Sequence, residues 1–252
     1  MYPLRHHRPR FVNSTWLITG LLLLGWTLPL AAAPYIPPDY TAHYRAQRMG
    51  MAVVGEITLR RDGDRLHYQA DLRPAGMLAR VRDDEITERT TIRITPHGLR
   101  SESYRYHHRS SRRDRLTEAH FDWQRYQVSG MHRGRPFSLT LKDGMVDRFA
   151  LQIALINDII SQQRQISRTL VDRNRIVTYD FTLAGARTIR TALGELEAIE
   201  VQRYNKQRDM TVSIWFAPDL HYIPVRVEQI ENGERVVLEI QSIQWHPQNT
   251  TP

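Results

Sequence analysis

Cysteine and lysine are the residues that this chain lacks or nearly lacks. Its 252 residues contain no cysteine, and Lys142 and Lys206 are the only lysines among 35 lysine and arginine residues. Without cysteine there is no disulfide, no thiolate metal site and no cysteine nucleophile, and such a chain is compatible with an oxidising compartment. We attribute the preference for arginine over lysine to a compositional bias of the genome rather than to a function of the protein.

Signatures of common catalytic sites are also missing. There is no Gly-x-Ser-x-Gly elbow, no His-Glu-x-x-His motif, no phosphate loop and no dinucleotide fingerprint. The adjacent histidines at 6–7 and 107–108 have the wrong spacing for zinc. The acidic residues 83–85 are neighbours on one strand, whereas a glycosidase needs two acids that face each other across a cleft. We therefore predict that the protein is not an enzyme and has no catalytic, cofactor-binding or metal-binding residues.

The first 33 residues have the organisation of a secretory signal peptide. Three arginines precede an apolar run at 16–30, and three alanines follow it. The run is shorter than the roughly 20 residues of a membrane-spanning helix, so we expect no transmembrane anchor in the mature protein. No cysteine follows the run for lipid attachment. The sequence predicts a soluble periplasmic protein, and export argues against a nucleic-acid partner.

Most of the remaining chain alternates apolar and polar residues, which is typical of β-strands. We predict one β-rich domain at 40–246, after a proline-rich lead-in at 34–39 and before a tail at 247–252. No period of 20 to 50 residues repeats, which argues against a solenoid or propeller. The predicted fold class is all-β, with a curled antiparallel sheet or an open β-barrel and one packed amphipathic helix.

Residues 211–228 predict one β-hairpin. Val212, Ile214 and Phe216 alternate with polar residues and with Trp215, and Ala217-Pro218-Asp219-Leu220 supplies a turn. Pro224 cannot donate a hydrogen bond to a sheet, so we expect it at an edge strand or a bulge. Tight turns are predicted in the same way at 62–63, 132–134 and 232–233.

One segment departs from the β pattern. Phe149, Ile153, Ile156 and Ile160 recur at helical spacing, which predicts an amphipathic helix over residues 146–162. We expect this helix to cover the mouth or the open side of the sheet.

Two further segments are candidates for contacts with a partner. Residues 74–81 are irregular and less polar than their surroundings, and Met77, Leu78 and Val81 are candidates for a rim or a lid. The densest positive segment lies within residues 105–115, where either a solvated loop or an anionic contact is a fair interpretation. Its arginines are Arg105, Arg109, Arg112, Arg113 and Arg115.

Several segments together resemble one family of exported bacterial proteins, the domain of unknown function 3108. The resemblance covers residues 40–243. The matching segments are His97-Gly98-Leu99-Arg100, Ala119-His120-Phe121-Asp122-Trp123, Asp147-Arg148-Phe149, Ala192-Leu193-Gly194-Glu195-Leu196, and Trp215-Phe216-Ala217-Pro218-Asp219-Leu220 with Tyr222-Ile223-Pro224-Val225-Arg226. The resemblance implies a periplasmic β-rich domain without an established activity, and it transfers no catalytic residue.

Two noncatalytic hypotheses for function remain open, and a third, an enzyme of unrecognised type, would require a polar cleft with two convergent acids. In the first, an apolar concave face holds an acyl chain or another envelope component, and the arginines contact an anionic group, as in a carrier or assembly factor. In the second, the protein is an interaction module that binds an envelope protein or a cell-wall glycan through a sheet edge or an aromatic face. The aromatic candidates are Tyr104, Tyr106, Trp123 and Tyr126.

Overall fold

The computed structural model describes residues 33–48 and 51–247. The predicted signal peptide therefore lies outside the described residues except for Ala33, and so does the predicted tail except for Pro247. Within the described part of the chain, no helix has the length and apolar character required to cross a bilayer.

The described residues form fifteen β-strands and one α-helix, α1 (Leu151–Ile160). Short 3-10 helices lie at Gly76–Arg80, Lys206–Arg208 and Pro218–Leu220. The strands are β1 (Tyr40–Arg48), β2 (Met51–Asp62), β3 (Arg65–Ala75), β4 (Glu85–Thr95), β5 (Gly98–Ser110), β6 (Arg113–Asp122), β7 (Gln127–His132), β8 (Arg135–Thr140), β9 (Val146–Asp147), β10 (Gln165–Asp172), β11 (Arg175–Thr191), β12 (Gly194–Asn205), β13 (Met210–Ala217), β14 (Ile223–Glu231) and β15 (Glu234–Trp245).

All fifteen strands belong to one sheet. The order is β8-β7-β6-β5-β4-β3-β2-β1-β15-β14-β13-β12-β11-β10-β9, so β8 and β9 are its two edges. Neighbouring strands are antiparallel except β9 and β10, which are parallel. The sheet curls until β9 contacts β5, but it does not close into a barrel. The predicted all-β class with a curled sheet and one helix is confirmed, and the predicted tight turns join consecutive strands.

Large side chains and α1 fill the centre of the curled sheet. Tyr40, Tyr44 and Tyr68 are each no more than 2% exposed. Phe149, just before α1, stacks on the Tyr68 ring with a centroid separation of 4.2 Å. The Tyr68 hydroxyl donates to Gln152 Oε1 on the helix at 3.1 Å. The contacts of Phe149 and Gln152 with Tyr68 make α1 part of the core. Burial of a large apolar side chain such as Phe149 contributes about 1.5 to 3 kcal/mol to the free energy of folding.

The helix is shorter than the predicted range of 146–162. Its first turn begins at Leu151, because Val146 and Asp147 pair with β10 as a strand instead. The Asp147 carboxylate accepts hydrogen bonds from the backbone N–H groups of Phe149 and Ala150 at 2.8 and 2.9 Å. These bonds satisfy donors at the turn into the helix, as a capping side chain does.

Pro224 lies beside a β-bulge in an interior strand. The register of β13 with β14 shifts between the Trp215–Arg226 and Phe216–Pro224 pairs, which leaves Val225 as the extra residue. The pairing of β14 with β15 starts only at Arg226, so no ladder bond is lost at the proline. The predicted bulge is confirmed, and the alternative of an edge strand is wrong.

Candidate functional site

Three buried acids and one half-buried arginine lie where β9 meets the inner face of β4 and β5. We call Glu88, Asp147, Arg148 and Asp172 the seam cluster. Arg148 Nε lies 3.0 Å from Glu88 Oε1, and Arg148 Nη1 lies 4.0 Å from Asp172 Oδ1. The Tyr104 hydroxyl donates to Glu88 Oε1 at 2.7 Å. The cluster thus links strands from both halves of the sheet.

Asp147 is the most enclosed member of the seam cluster, with 0% exposure. Besides the two backbone bonds to Oδ1, its Oδ2 accepts from Thr90 Oγ1 at 2.6 Å and from Ser101 Oγ at 2.5 Å. Burial raises the pKa of this carboxyl, and the bonds from Ser101 and Thr90 oppose that rise. With four donors bound, the acceptor positions of both Asp147 carboxylate oxygens are occupied.

The pKa values of Glu88 and Arg148 depend on each other. Burial raises the pKa of Glu88, while Arg148 and the Tyr104 hydroxyl lower it by a smaller amount. Burial acts to lower the pKa of Arg148, but attraction to Glu88 and other neighbours outweighs burial and raises it. Asp172 accepts from the Tyr179 hydroxyl at 3.0 Å through Oδ2, whereas its buried Oδ1 has no hydrogen-bond partner among the described residues.

We interpret the seam cluster as structural, because its carboxylates are buried and largely occupied by protein donors. Sequence reasoning missed it. A signal was present: Glu88 and Thr90 share the face of Ile86 and Ile92 on β4, so alternation places polar groups among core residues. Which partners would satisfy those groups depends on contacts between distant strands.

A groove at one end of the curled sheet is the best candidate for a binding site. One wall is the segment between β3 and β4, residues 76–84, which we call the rim segment. The cavity, which we call the rim groove, measures about 370 Å³. Its half-buried apolar lining residues are Val53, Leu72, Pro74, Leu78 and Ile86.

Basic side chains dominate the polar border of the rim groove. Asp84 is the only acid among the described residues that line it, and its carboxylate accepts from His108 Nε2 at 2.8 Å and from Arg82 Nε at 2.7 Å. Those two hydrogen bonds lower the pKa of Asp84. Arg73 and Arg113 also line the groove, and neither makes an ion pair with a described residue. The groove therefore combines an apolar floor with excess positive charge.

The predicted arginine patch is divided between the two faces of the β5–β6 hairpin. Arg105 pairs with Glu118 at 2.9 Å and Arg109 with Glu85 at 2.8 Å, both on exposed surface. Arg113 pairs with Ser110 in the β5–β6 ladder, and Arg115 pairs with His108. Both arginines lie on the same face of β6, the face that contributes to the rim groove. Arg112 lies in the turn between the strands. Of the five arginines, Arg113 alone lines the rim groove.

The four aromatic candidates do not form one exposed surface. Tyr104 is 4% exposed and belongs to the surroundings of the seam cluster. Tyr106 lies half-buried under the Arg148 guanidinium, which is 5.8 Å from its ring centroid. Trp123 donates to the Ser101 carbonyl at 2.7 Å, and Tyr126 is the one with an exposed ring. This arrangement does not favour an aromatic platform for a glycan.

Two larger concavities lie elsewhere on the sheet and are more polar. One of about 740 Å³ is lined largely by outward-facing residues of β1 to β4, including His43, Glu56 and Asp71. The other, about 540 Å³, lies beside Trp215, which is 3% exposed and has guanidinium groups near its ring. Neither has the apolar floor of the rim groove. In the part of the chain that the structure describes, no group of three or more histidines and acids could hold a metal ion.

The chain belongs to the family described as protein of unknown function (DUF3108), whose model matches residues 39–241. This confirms the resemblance seen in the sequence motifs. No curated protein matches the chain.

Solved structures provide a likeness of fold. A β-barrel-like protein of the domain of unknown function DUF1849 from Brucella abortus has a TM-score of 0.56 at 9% identity, over 86% of this chain and 100% of that one. MucB has a TM-score of 0.35 at 12% identity, over 88% of this chain and 58% of its own. An exported protein with a YmcC-like fold from Bacteroides fragilis has a TM-score of 0.31 at 9% identity, over 84% and 100%. The first likeness supports a β-barrel-like fold and carries no information about function.

Proposed function

We propose that this protein is a noncatalytic periplasmic carrier or assembly factor that binds an amphiphilic, anionic component of the cell envelope in the rim groove. The rim groove is the observation that carries the proposal, because it joins apolar lining residues to arginines that have no acidic partner in the described part of the chain. A volume of about 370 Å³ lies within the usual range of small-molecule sites.

The packing of the sheet determines where the apolar part of a ligand could bind. The predicted apolar concave face is filled by buried tyrosines and by Phe149 against α1, so the expectation that this face holds an acyl chain is wrong. Leu72 and Ile86 are register partners on neighbouring strands, and their half-buried side chains line the groove beside Leu78. We therefore place one apolar chain, or part of one, at this end of the sheet.

The border of the groove favours a negatively charged head group. Arg82 is already bonded to Asp84, while Arg73 and Arg113 have no acidic partner among the described residues. A carboxylate or phosphate near these two guanidinium groups would receive charge-assisted hydrogen bonds. Export, which the signal-like first 33 residues predict, would place the groove among such envelope molecules.

The direct test is native mass spectrometry of the protein purified from the periplasm, followed by lipid extraction. We expect a retained amphiphile above the background of a control protein from the same preparation. A copurified protein or glycan in its place would instead support the interaction-module hypothesis. A preparation without any ligand that also fails to bind a dansyl-labelled fatty acid would overturn the proposal.

A matched pair of variants locates the binding site. Leu78→Asp places a carboxylate in the groove, whereas Ala79→Asp adds the same charge at an exposed neighbour. No residue of the 3-10 helix that holds both is buried, so neither change should disturb folding. We expect at least about tenfold weaker binding of the dansyl fatty acid for Leu78→Asp and nearly unchanged binding for Ala79→Asp. Equal loss in both variants would argue against this location.

A second pair of variants separates the two faces of the β5–β6 hairpin. Arg113→Gln removes a cation from the groove border, and Arg105→Gln removes one from the outward-facing pair with Glu118. Arg113→Gln should weaken binding of the fatty acid by up to about fivefold, with little effect on its uncharged methyl ester. Arg105→Gln should bind both probes like the wild type.

A further inference from the structure

The rim segment exposes two large apolar side chains to solvent. Met77 is 78% exposed and Val81 is 76% exposed, the two highest values among the large hydrophobic residues that the structure describes. The 3-10 helix Gly76–Arg80 buries none of its residues, so this segment contributes little to the core. Gly76 starts it with a φ of +60°, a conformation that favours glycine and turns the chain out of β3.

The surroundings of these two side chains are positively charged. Arg73, Arg80, Arg112 and Arg113 lie on the rim segment or beside it, in the end of β3 and the β5–β6 turn. None of the four makes an ion pair with a described residue. Exposed apolar side chains surrounded by cations are the combination with which a peripheral protein contacts an anionic bilayer.

The nearby acids do not cancel this charge, because Asp84 and Glu85 are paired with cations of their own and Asp83 alone cannot balance four arginines. Asp83 accepts from the backbone N–H of Ser111 at 2.7 Å. Asp84 is bound by Arg82 and His108, and Glu85 pairs with Arg109 at 2.8 Å. Among the described residues, the four arginines without an acidic partner outnumber Asp83, so the potential at this end is positive.

We propose that the rim segment docks the protein on the surface of an anionic lipid bilayer, with Met77 and Val81 inserted between the head groups. Two side chains are too few for permanent insertion, so the contact is reversible and depends on the arginines. Leu78 and Arg82 of the same segment line the rim groove, so docking brings the groove to the membrane surface. The idea that docking helps to load a ligand into the rim groove rests on the proposed function, whereas the docking itself does not.

Vesicle flotation tests the proposal on protein purified from the periplasm, with its first residue defined by intact mass. We expect flotation with vesicles of phosphatidylcholine and phosphatidylglycerol, at least about tenfold less with phosphatidylcholine alone, and loss of binding in high salt. The double variant Met77→Ser, Val81→Ser should lose most of the binding. The control Met131→Ser, Ile176→Ser changes side chains that are 39% and 38% exposed on other strands, and it should float like the wild type.

A local probe distinguishes insertion of the rim segment from adhesion elsewhere. Because the chain has no cysteine, Met77→Cys can carry a single environment-sensitive fluorophore. Its emission should shift to the blue with anionic vesicles, while the same label at Ile176→Cys should not respond. The absence of an emission shift at position 77 would overturn the proposal. Flotation of the Met77→Ser, Val81→Ser protein at the wild-type level would also overturn it. A third contrary result would be that the wild-type protein binds another protein but does not bind vesicles.

Failure of docking and failure of the proposed function can be told apart. Ile86→Trp fills the rim groove without changing the rim segment, so it should lose the dansyl fatty acid and keep vesicle flotation. Met77→Ser, Val81→Ser should bind the dissolved fatty acid normally but lose flotation. A protein that floats normally but never binds the fatty acid would leave docking supported and reject the groove.

Discussion

Asp147 and Ser101 exchange two hydrogen bonds across the inside of the curled sheet. The Ser101 hydroxyl donates to Asp147 Oδ2 at 2.5 Å, and the backbone N–H of Asp147 donates to the same hydroxyl oxygen at 2.9 Å. Ser101 belongs to β5 and Asp147 to β9, an edge strand that is many positions away in the sheet order. This contact holds the curl where the backbone ladder does not close it.

Removal of the Asp147 carboxylate should strongly destabilise the fold. Asp147→Ala leaves the hydroxyls of Thr90 and Ser101 and the N–H groups of Phe149 and Ala150 without their acceptor in a buried site. We expect a loss of about 3 to 5 kcal/mol in the free energy of unfolding, measured by urea denaturation. Asp143→Ala, in the preceding loop and 70% exposed, is the control and should stay within about 1 kcal/mol of wild type. Similar losses in both would show that the buried network is unimportant.

The sheet and its turns were predictable because their signals are local. Alternation from Thr211 to Ile214 marks β13, and Asn232-Gly233 marks the turn before β15 by residue type alone. Local signals could not show that residues 146 and 147, which we predicted as the start of the helix, form a strand. Val146 and Asp147 are strand residues only because Leu170 and Val171 lie beside them, and a helical period continues through them in sequence.

The candidate site was harder to predict than the fold, because its parts come from separate segments. The apolar residues of the rim segment were recognisable as candidates for a rim or a lid, since they interrupt the alternation, and the structure places them in and beside a short 3-10 helix. Their association with Ile86 and Arg113 depends on the pairing of β3, β4 and β5. The arginine-rich segment was visible by composition, but strand parity and register decide which arginine lines the groove.

Arg148 and Glu88 should be coupled in a double-mutant cycle. Arg148→Met leaves the buried Glu88 carboxylate without its cation and removes one of the two arginines near Asp172, so we expect a loss of about 3 to 5 kcal/mol in stability. Glu88→Gln in the same protein should recover part of that loss, since it removes one of the uncompensated charges. Arg208→Met breaks the exposed pair with Glu231 and should change stability by less than about 1 kcal/mol. Additive losses for Arg148 and Glu88 would contradict a direct interaction.

Glu88 should make stability fall as the pH rises. Its pKa is raised in the folded protein above the ordinary value of 4.5, because burial disfavours the charged carboxylate. The folded state therefore holds this proton more tightly than the unfolded state between pH 4.5 and the raised value, and its contribution to stability declines across that window. Urea unfolding of wild type and Glu88→Gln at several pH values from about 4 to 7 measures the effect. The stability of Glu88→Gln relative to wild type should increase with pH, and a constant or decreasing difference would refute the raised pKa.

Gly130 should be intolerant of a side chain, because β6 and β7 approach closely at this position. A Cβ atom added there would lie 1.9 Å from the carbonyl oxygen of Glu118 on β6, so the backbone must shift to admit it. We expect Gly130→Ala to destabilise the protein by about 1 to 3 kcal/mol in thermal or urea unfolding. Gly55→Ala is the matched control, since its Cβ would lie 3.4 Å from the Leu72 side chain, and we expect a change below about 1 kcal/mol. If both variants unfold like the wild type, the tight β6–β7 contact is not a constraint on this sheet.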